Sequence, residues 1–322
     1  MNAKDFSLLL KTVTELTHYQ RNQLIGVLNR DNDSLRVIEI IESKFDAKHE
    51  CPHCKSLDLY RHGFANGLQR YRCKQCGKTF NALTQTPLAR LRLKSKWLNY
   101  LDQIRVSLTV RESAANIGVH RNTSFRWRHR FLSLISKERT DKLHGITEVD
   151  ETYLLESDKG QRHLNRMPRK RGGHATKPGL SGEQVCVLIA RDRATQTLDF
   201  VAGKGSITKS QVTATLKPVL DQDVLLVTDS NLAYTAFCKT EEISHETVNL
   251  SQHQRVRGAY HLQNVNAYHS RFKNWLLRFH GVATKYLSNY LGWRHALELH
   301  PEHPPEIWLN AALGNFQYLT VT

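Results

Sequence analysis

Apolar positions recur along this chain with different periods, and the changes divide it into segments. Residues 1–46 have a helical pattern. Thr17-His-Tyr-Gln20 has the spacing of a capping box, and Leu24, Ile25, Val27 and Leu28 supply an apolar face after it. A second short helix is expected around residues 34–45. Residues 97–134 are helical again: Thr109-Val-Arg-Glu112 is another capping box, Ala114 and Ala115 continue the helix, and Gly118 supplies a turn. Val119 then leads into the basic run Arg121-Asn-Thr-Ser-Phe-Arg-Trp-Arg-His-Arg130. From about residue 145 the pattern is that of strands. Ile146–Leu155, Gln184–Asp192 and Thr197–Lys204 are short, β-rich and bounded by turn residues. Residues 210–220 are amphipathic and helical, and 224–229 form an apolar run that closes on an acid. A fifth strand over 245–250 and a helix over 262–279 complete an α/β pattern for residues 145–322.

Charge changes the picture next. The chain of 322 residues carries a formal net charge of +16, which favours polyanionic partners, nucleic acid first among them. The excess is not spread evenly. Residues 59–101 hold nine Lys and Arg, 159–182 hold seven and 247–297 hold seven more, and none of the three stretches contains an Asp or Glu. Three separated stretches predict an extended surface that tracks phosphates, against the plainer reading of a solvated basic surface. No apolar run approaches the roughly 18 residues that would span a bilayer, and the polar N-terminus lacks a signal peptide. The expectation is a cytoplasmic, nucleoid-associated protein with no membrane partner.

Cys51-Pro-His-Cys54, eighteen residues, then Cys73-Lys-Gln-Cys76-Gly77 is the spacing of two zinc knuckles. It predicts a zinc ribbon over residues 47–85, with Cys51, Cys54, Cys73 and Cys76 as ligands and Tyr71 and Phe80 as packing. Four core cysteines or two disulfides are the weaker alternative in a cytoplasmic chain. Cys186 and Cys238 sit in apolar surroundings and are assigned to the core.

Residues 90–140 have the pattern of a helix-turn-helix, whose second helix would present Arg121, Asn122, Ser124, Arg126 and Arg128 to DNA, with Phe125 and Trp127 partly in the core. An ordinary helical hairpin with solvated arginines is the alternative. The basic loop over 162–177, with Arg169, Lys170, Arg171 and the pair Gly172-Gly173, suits a mobile segment that orders on DNA, or else an insert without function.

Two aspartates stand out. Asp150 interrupts the strand-like Glu-Val-Asp-Glu-Thr-Tyr, and Asp229 closes Val-Leu-Leu-Val-Thr. Carboxylates at central-strand positions are costly unless paired or bound to a cation. Two that converge would bind Mg²⁺ or Mn²⁺ through oxygen, although Asp229 could equally cap a helix after its strand.

Val149-Asp150-Glu151-Thr152-Tyr153, Thr228-Asp229 and His261-Leu-Gln-Asn-Val-Asn266-Ala-Tyr-His-Ser-Arg-Phe-Lys273 together resemble insertion-sequence transposases with an N-terminal zinc ribbon and a DDE-type core. The resemblance implies an RNase-H-like catalytic core preceded by the ribbon and an all-α helix-turn-helix region. It implies Asp150 and Asp229 as the first two magnesium ligands, with the third position, often Glu, falling on Asn266. The family's lysine falls on Lys273, two turns further along the same helix face. This is an Asp-Asp-Asn-Lys variant, and a subgroup of the family carries Asn at the third position. An amide oxygen can ligate Mg²⁺ but brings no negative charge. Glu246 and Glu298 are the nearest acids outside 247–297; Glu148 shares a strand face with Asp150, and Glu151 points the other way. Lys273 and Arg271 are expected to meet DNA, and His261 either orients a ligand or is structural. The implied partners are double-stranded DNA, as terminal inverted repeats and as target, and a homodimer or higher assembly. A sequence-specific DNA-binding regulator with an inactive core is the rival, and Asn266 is what favours it.

Overall fold

The computed structural model of the protein describes residues 2–46, 48–137, 142–164, 166–170, 172–248, 256–299 and 302–315. It divides into two compact units, residues 1–134 with 302–322, and residues 135–301. Among the described residues, no helix is long and apolar enough to cross a membrane.

The first unit opens with α1 (Ala3–Thr14) and α2 (His18–Asp46). The Thr17 capping box forms as expected: the Thr17 backbone N–H donates to Gln20 Oε1 at 3.0 Å, and the Gln20 N–H to Thr17 Oγ1 at 3.3 Å. The separate helix expected around 34–45 is instead the continuation of α2, because no proline interrupts the chain and Val37, Ile41 and Phe45 carry one buried stripe to its end. Phe45 then packs on Tyr71, with ring centroids 4.4 Å apart, and joins Phe80 in the small core of the next element. That element is an antiparallel sheet of β1 (Leu59–Ala65), β2 (Leu68–Cys73) and β3 (Thr79–Phe80).

Three helices follow, α3 (Trp97–Arg105), α4 (Val110–Ile117) and α5 (Arg121–Ile135). Thr109 and Glu112 cap α4 reciprocally, and Gly118, at φ 63°, takes the left-handed conformation that ends it. The buried stripe of α5 is Ser124, Trp127, Arg128 and Phe131, at helical spacing. Two expectations fail here. Ser124 and Arg128 are fully buried and cannot reach DNA, because both fall on the stripe that Trp127 and Phe131 define. Ser124 Oγ donates to the Val110 carbonyl at 3.0 Å. Arg128 donates to the Leu108 carbonyl at 2.6 Å and to Ser113 Oγ at 3.2 Å. Phe125, expected partly in the core, is exposed and meets the His129 ring edge-on. Arg121, Asn122 and Arg126 are exposed, as expected.

The last helix, α10 (Pro305–Ala312), buries Trp308, Leu309, Ala311 and Ala312 and packs against α2 and α3. The sequence pattern carried the α/β segment to residue 322, whereas this apolar face completes the first unit.

The second unit is built on a five-stranded sheet in the order β6-β5-β4-β7-β8. Its strands are β4 (Ile146–Leu155), β5 (Gln184–Asp192), β6 (Thr197–Lys204), β7 (Leu225–Thr228) and β8 (Ser244–Thr247). The first three are antiparallel; β7 and β8 run parallel to β4. Residues 249–250 of the expected fifth strand lie outside the described residues. Helices α6 (Lys209–Leu216) and α7 (Leu232–Glu241) connect the later strands. The pattern along the sequence did not register α7, but a parallel pair such as β7 and β8 requires a crossover. The core gathers Val149, Leu188, Leu198, Val212, Leu226, Tyr234 and Phe237, with Cys186 and Cys238 buried among them as expected. A two-stranded hairpin, β9 (Val256–Arg257) and β10 (Tyr260–His261), leads into α8 (Gln263–Leu277), which packs on β4 and β5. Helix α9 (Leu287–Leu299) packs on β6.

Arg128→Ala should lower the unfolding free energy by about 2–4 kcal/mol, since it leaves a cavity and strips two buried acceptors of their donor. Arg126→Ala, on the exposed face, should stay within about 0.5 kcal/mol. Equal denaturation midpoints for the two variants would remove Arg128 from this structural role.

Candidate active site

β4 and β7 set the geometry of the site. Ile146 lies opposite Leu225, Thr147 opposite Leu226 and Glu148 opposite Val227. The same offset carried two residues further brings Asp150 level with Asp229 across neighbouring strands. Asp229 sits in the turn between β7 and α7, where its Oδ1 accepts from the Asn231 backbone N–H at 3.0 Å. Asn231, not Asp229, is the N-cap of α7, and its side chain accepts from the Ala233 N–H. The alternative of Asp229 as a helix cap therefore gives way to an acid held two residues before the cap.

The two aspartates share a crowded, half-buried space with Glu151. Burial, then the neighbouring Glu151 and Asp229 carboxylates, push the Asp150 carboxyl up to about 7; the Lys273 ammonium opposes them. Burial also raises Glu151, and the Asp229 charge adds to it. Strand alternation sends Glu151 to the α7 side, as expected, where it accepts from the Tyr234 hydroxyl, from Tyr153 Oη at 3.3 Å and from Asn231 Nδ2 at 3.5 Å. These like charges at the end of two central strands are a donor set of hard oxygens that suits a divalent cation.

Glu148, on the Asp150 face, has a different occupation. It is fully buried, and it accepts from the Asn264 and Val265 backbone N–H groups at 2.8 and 3.1 Å and from Asn264 Nδ2 at 2.8 Å. Arg193 and His261 each approach it to 3.3 Å. Its oxygens are thus committed to the N-terminus of α8, which has no side-chain cap of its own. The idea that Glu148 could supplement the metal ligands does not hold, and His261 is structural.

That helix brings Asn266, His269 and Lys273 to one face, at helical spacing. His269 is buried, and its Nδ1 lies 3.8 Å from Asp150 Oδ2. Burial, with Lys273 adding, pulls its pKa down to about 4, so it is neutral beside the carboxyl. Asn266 and Lys273 flank it and are exposed. His269 was not singled out in the sequence, though its place between Asn266 and Lys273 was readable from the helix period. Tyr234 could not be found while α7 was missing.

Three further expectations are corrected. Arg271 is not a free cation: it pairs with Glu298 at 2.7 Å, as do Arg191 at 3.0 Å and Arg294 at 3.3 Å. Glu298 is thereby taken up by arginines and is not a spare ligand. Arg169 donates to the Glu156 carbonyl at 2.6 Å and pairs with Glu183 at 3.2 Å, which ties together the two ends of the β4–β5 excursion. Lys170 is exposed, and Arg171 lies outside the described residues.

In the first unit, the Sγ atoms of Cys51, Cys54, Cys73 and Cys76 all lie within 4.8 Å of one another. Cys51 and Cys76 are 3.7 Å apart, and Cys54 and Cys73 are 3.6 Å apart. Tetrahedral zinc with sulfur bonds of about 2.3 Å separates its ligands by about 3.8 Å, so the four thiols fit that ion.

Residues 142–294 match the ISXO2-like transposase domain family. The match spans β4 to α9 and includes Asp150, Asp229, Asn266 and Lys273. The chain is also similar to an uncharacterized protein in the transposable element ISH50 of Halobacterium salinarum, at 28% identity over 244 residues, 75% of this chain and 82% of that one. A chain of the pre-cleavage Mos1 transpososome is similar over 69% of this chain and 78% of its own, with 14% identity and a TM-score of 0.25. The first two matches support an insertion-sequence transposase.

The shift at Asp150 has a stability consequence. Between its usual value of 3.8 and about 7, the folded chain keeps a proton that the unfolded chain has lost. Without a divalent cation, this group's contribution therefore falls as pH rises through that window and is fully unfavourable above it. Asp150→Asn should stabilise the metal-free protein at about pH 8, on the order of 2–4 kcal/mol, and much less near pH 4. Thermal midpoints of the two proteins that differ by the same amount at both pH values would contradict this.

Proposed function

We propose that this protein is an insertion-sequence transposase that cleaves the ends of its element and joins the freed 3′-hydroxyls to target DNA. The observation that carries the reading is the placement of Asp150 on β4 level with Asp229 in the turn that follows β7, crowded by Glu151 and facing the Asn266–Lys273 helix. Three antiparallel strands, two parallel ones and the intervening helices are the order of an RNase-H-like core, which supports the same reading.

Asp150, Asp229 and the Asn266 amide oxygen would hold Mg²⁺ or Mn²⁺, which when bound would polarise the phosphodiester and make the attacking hydroxyl more acidic. The chain's own residues prepare that site. Asn231 fixes the Asp229 carboxylate, and the Asp150 carboxyl accepts from the Glu151 N–H at 2.9 Å. Buried, neutral His269 lies 3.8 Å from the Asp150 carboxyl and adds no positive charge beside it. Lys273 and Lys170 offer ammonium groups to backbone phosphates. Attack by water on the phosphodiester at the transposon end breaks its P–O3′ bond and releases a 3′-hydroxyl, and that hydroxyl then attacks a target phosphodiester in line, with the target strand's own 3′-oxygen leaving as a hydroxyl. The α4–α5 pair acts as a helix-turn-helix that reads double-stranded terminal repeats through Arg121, Asn122 and Arg126, beside a ribbon folded on Zn²⁺. Two ends must be held together, which calls for a dimer or larger assembly.

A second reading, a DNA-binding regulator with an inactive core, rests on the uncharged, exposed Asn266. A joining assay with a labelled element end, target duplex and Mg²⁺ or Mn²⁺ separates the two. Joined product is expected, and Asp150→Ala and Asp229→Ala should each reduce it at least about 100-fold while DNA binding persists. Asn266→Ala should be impaired and Asn266→Glu active. Binding without cleavage by the wild type would favour the regulator. Zinc removal by a chelator should release one zinc ion per chain and expose residues 47–85 to proteolysis; a ribbon that resists would rule out a folding role for zinc.

A further inference from the structure

Between the ribbon and α3, the chain forms a cleft of about 660 Å³ that no part of the catalytic or helix-turn-helix reading uses. Its polar lining is Ser34, Asn66, Arg90, Arg92, Lys94 and Ser95. All of it belongs to the first unit. The floor is a close approach of the β1–β2 turn to α2: a Cβ at Gly67, where φ is +78°, would lie 2.9 Å from Ile38 Cδ1.

Three features of this cleft point to an anion. Lys94 is 9% exposed, yet its ammonium donates to a neutral group, the Asn66 carbonyl, at 2.9 Å. Among the described residues, no carboxylate forms an ion pair with Lys94, Arg90 or Arg92, and none lines the cleft. A cation withdrawn from water without an anion is unfavourable unless a ligand supplies the missing charge. In addition, Arg90 and Leu93 both hold left-handed backbone, with φ 62° and 60°, although neither is glycine. Such outliers persist where surrounding structure imposes them, and they cluster at ligand sites. Here they project exposed Arg90 and Arg92 to the same mouth that Lys94 backs from within.

We propose that this cleft binds backbone phosphates of duplex DNA, with Arg90 and Arg92 as the outer contacts and Lys94 as the buried one. A duplex is favoured over a small anion because Arg90 and Lys94 also line a neighbouring cleft of about 650 Å³ together with Arg130, so the cations extend past a single anion-sized pocket. The site reads no bases. It would add sequence-independent grip between the ribbon and the helix pair, and it rests on the transposase reading only for the identity of the DNA.

The test measures binding of the full-length, zinc-loaded protein to an element end and to a scrambled duplex of equal length, across a salt series. Arg90→Ala/Arg92→Ala, both at exposed positions, should weaken the two duplexes equally, by about tenfold or more. It should also make the log–log salt dependence shallower by about two, since each lost phosphate contact removes about 0.9 from the slope. Lys94→Met should act in the same direction if it folds. Arg126→Ala, in contrast, should lose preference for the element end. Unchanged affinity and slope in the double variant would overturn the site, as would a loss confined to one sequence. Displacement of duplex by inorganic pyrophosphate at constant ionic strength would make the cleft a small-anion site and overturn the DNA assignment. A wild type that binds neither duplex would instead overturn the transposase reading itself.

Discussion

A single buried carboxylate holds the strand and the helix of the candidate site in register. Glu148 stands two residues before Asp150 on β4, and it takes the first backbone N–H groups of α8 as its hydrogen-bond donors. Helix N-termini carry unsatisfied donors and partial positive charge, so a carboxylate there satisfies both at once. The result is a fixed distance along the chain between the strand that carries Asp150 and the helix that carries Asn266, His269 and Lys273. Arg193 and His261 close around the same carboxylate, which keeps a buried charge from standing alone. Everything the site requires of α8 depends on this junction.

The sequence made the sheet legible but left much of what surrounds the site hidden. β4, β5 and β6 coincide with the expected ranges, because each is a short β-rich run bounded on both sides by turn residues. α7 escaped notice since Asp229-Ser230-Asn231 reads as a turn, and it is one; the helix simply starts at once after it. The double role of acids on β4 was half visible. Alternation separates Glu148 from Glu151 by face, but only the fold reveals that one caps a helix and the other is held by Tyr234 and Asn231. On α5, the helical period alone is enough to place Ser124 and Arg128 beside Trp127 and Phe131, whereas their polarity suggests a solvent-facing position.

Charge is partitioned as clearly as structure. Residues 1–46 hold six Lys and Arg against seven Asp and Glu, so the whole excess of +16 lies in the remaining chain. Within that remainder, several cations are already committed: Arg128 to carbonyl and hydroxyl oxygens, Arg169 to the loop ends, and Arg191, Arg271 and Arg294 to Glu298. Counting basic residues therefore overstates what is free to meet a phosphate. Exposed Arg121, Arg126, Lys170 and Lys273 are among those that remain, together with the cleft at Arg90, Arg92 and Lys94. An uncharged Asn266 fits this economy of charge, because Glu151 already adds a third carboxylate to the field around Asp150.

The return of α10 to α2 and α3 makes the second unit an insertion within the first. On the ribosome, the helices of the first unit emerge early but cannot cover their apolar faces until residues 305–312 have been made, after the entire sheet. A prematurely terminated product would lack Trp308 and Leu309 and would leave the buried surface of α3 open to water. The order of synthesis thus ties completion of the helical unit to the synthesis of residues 305–312, after the entire sheet.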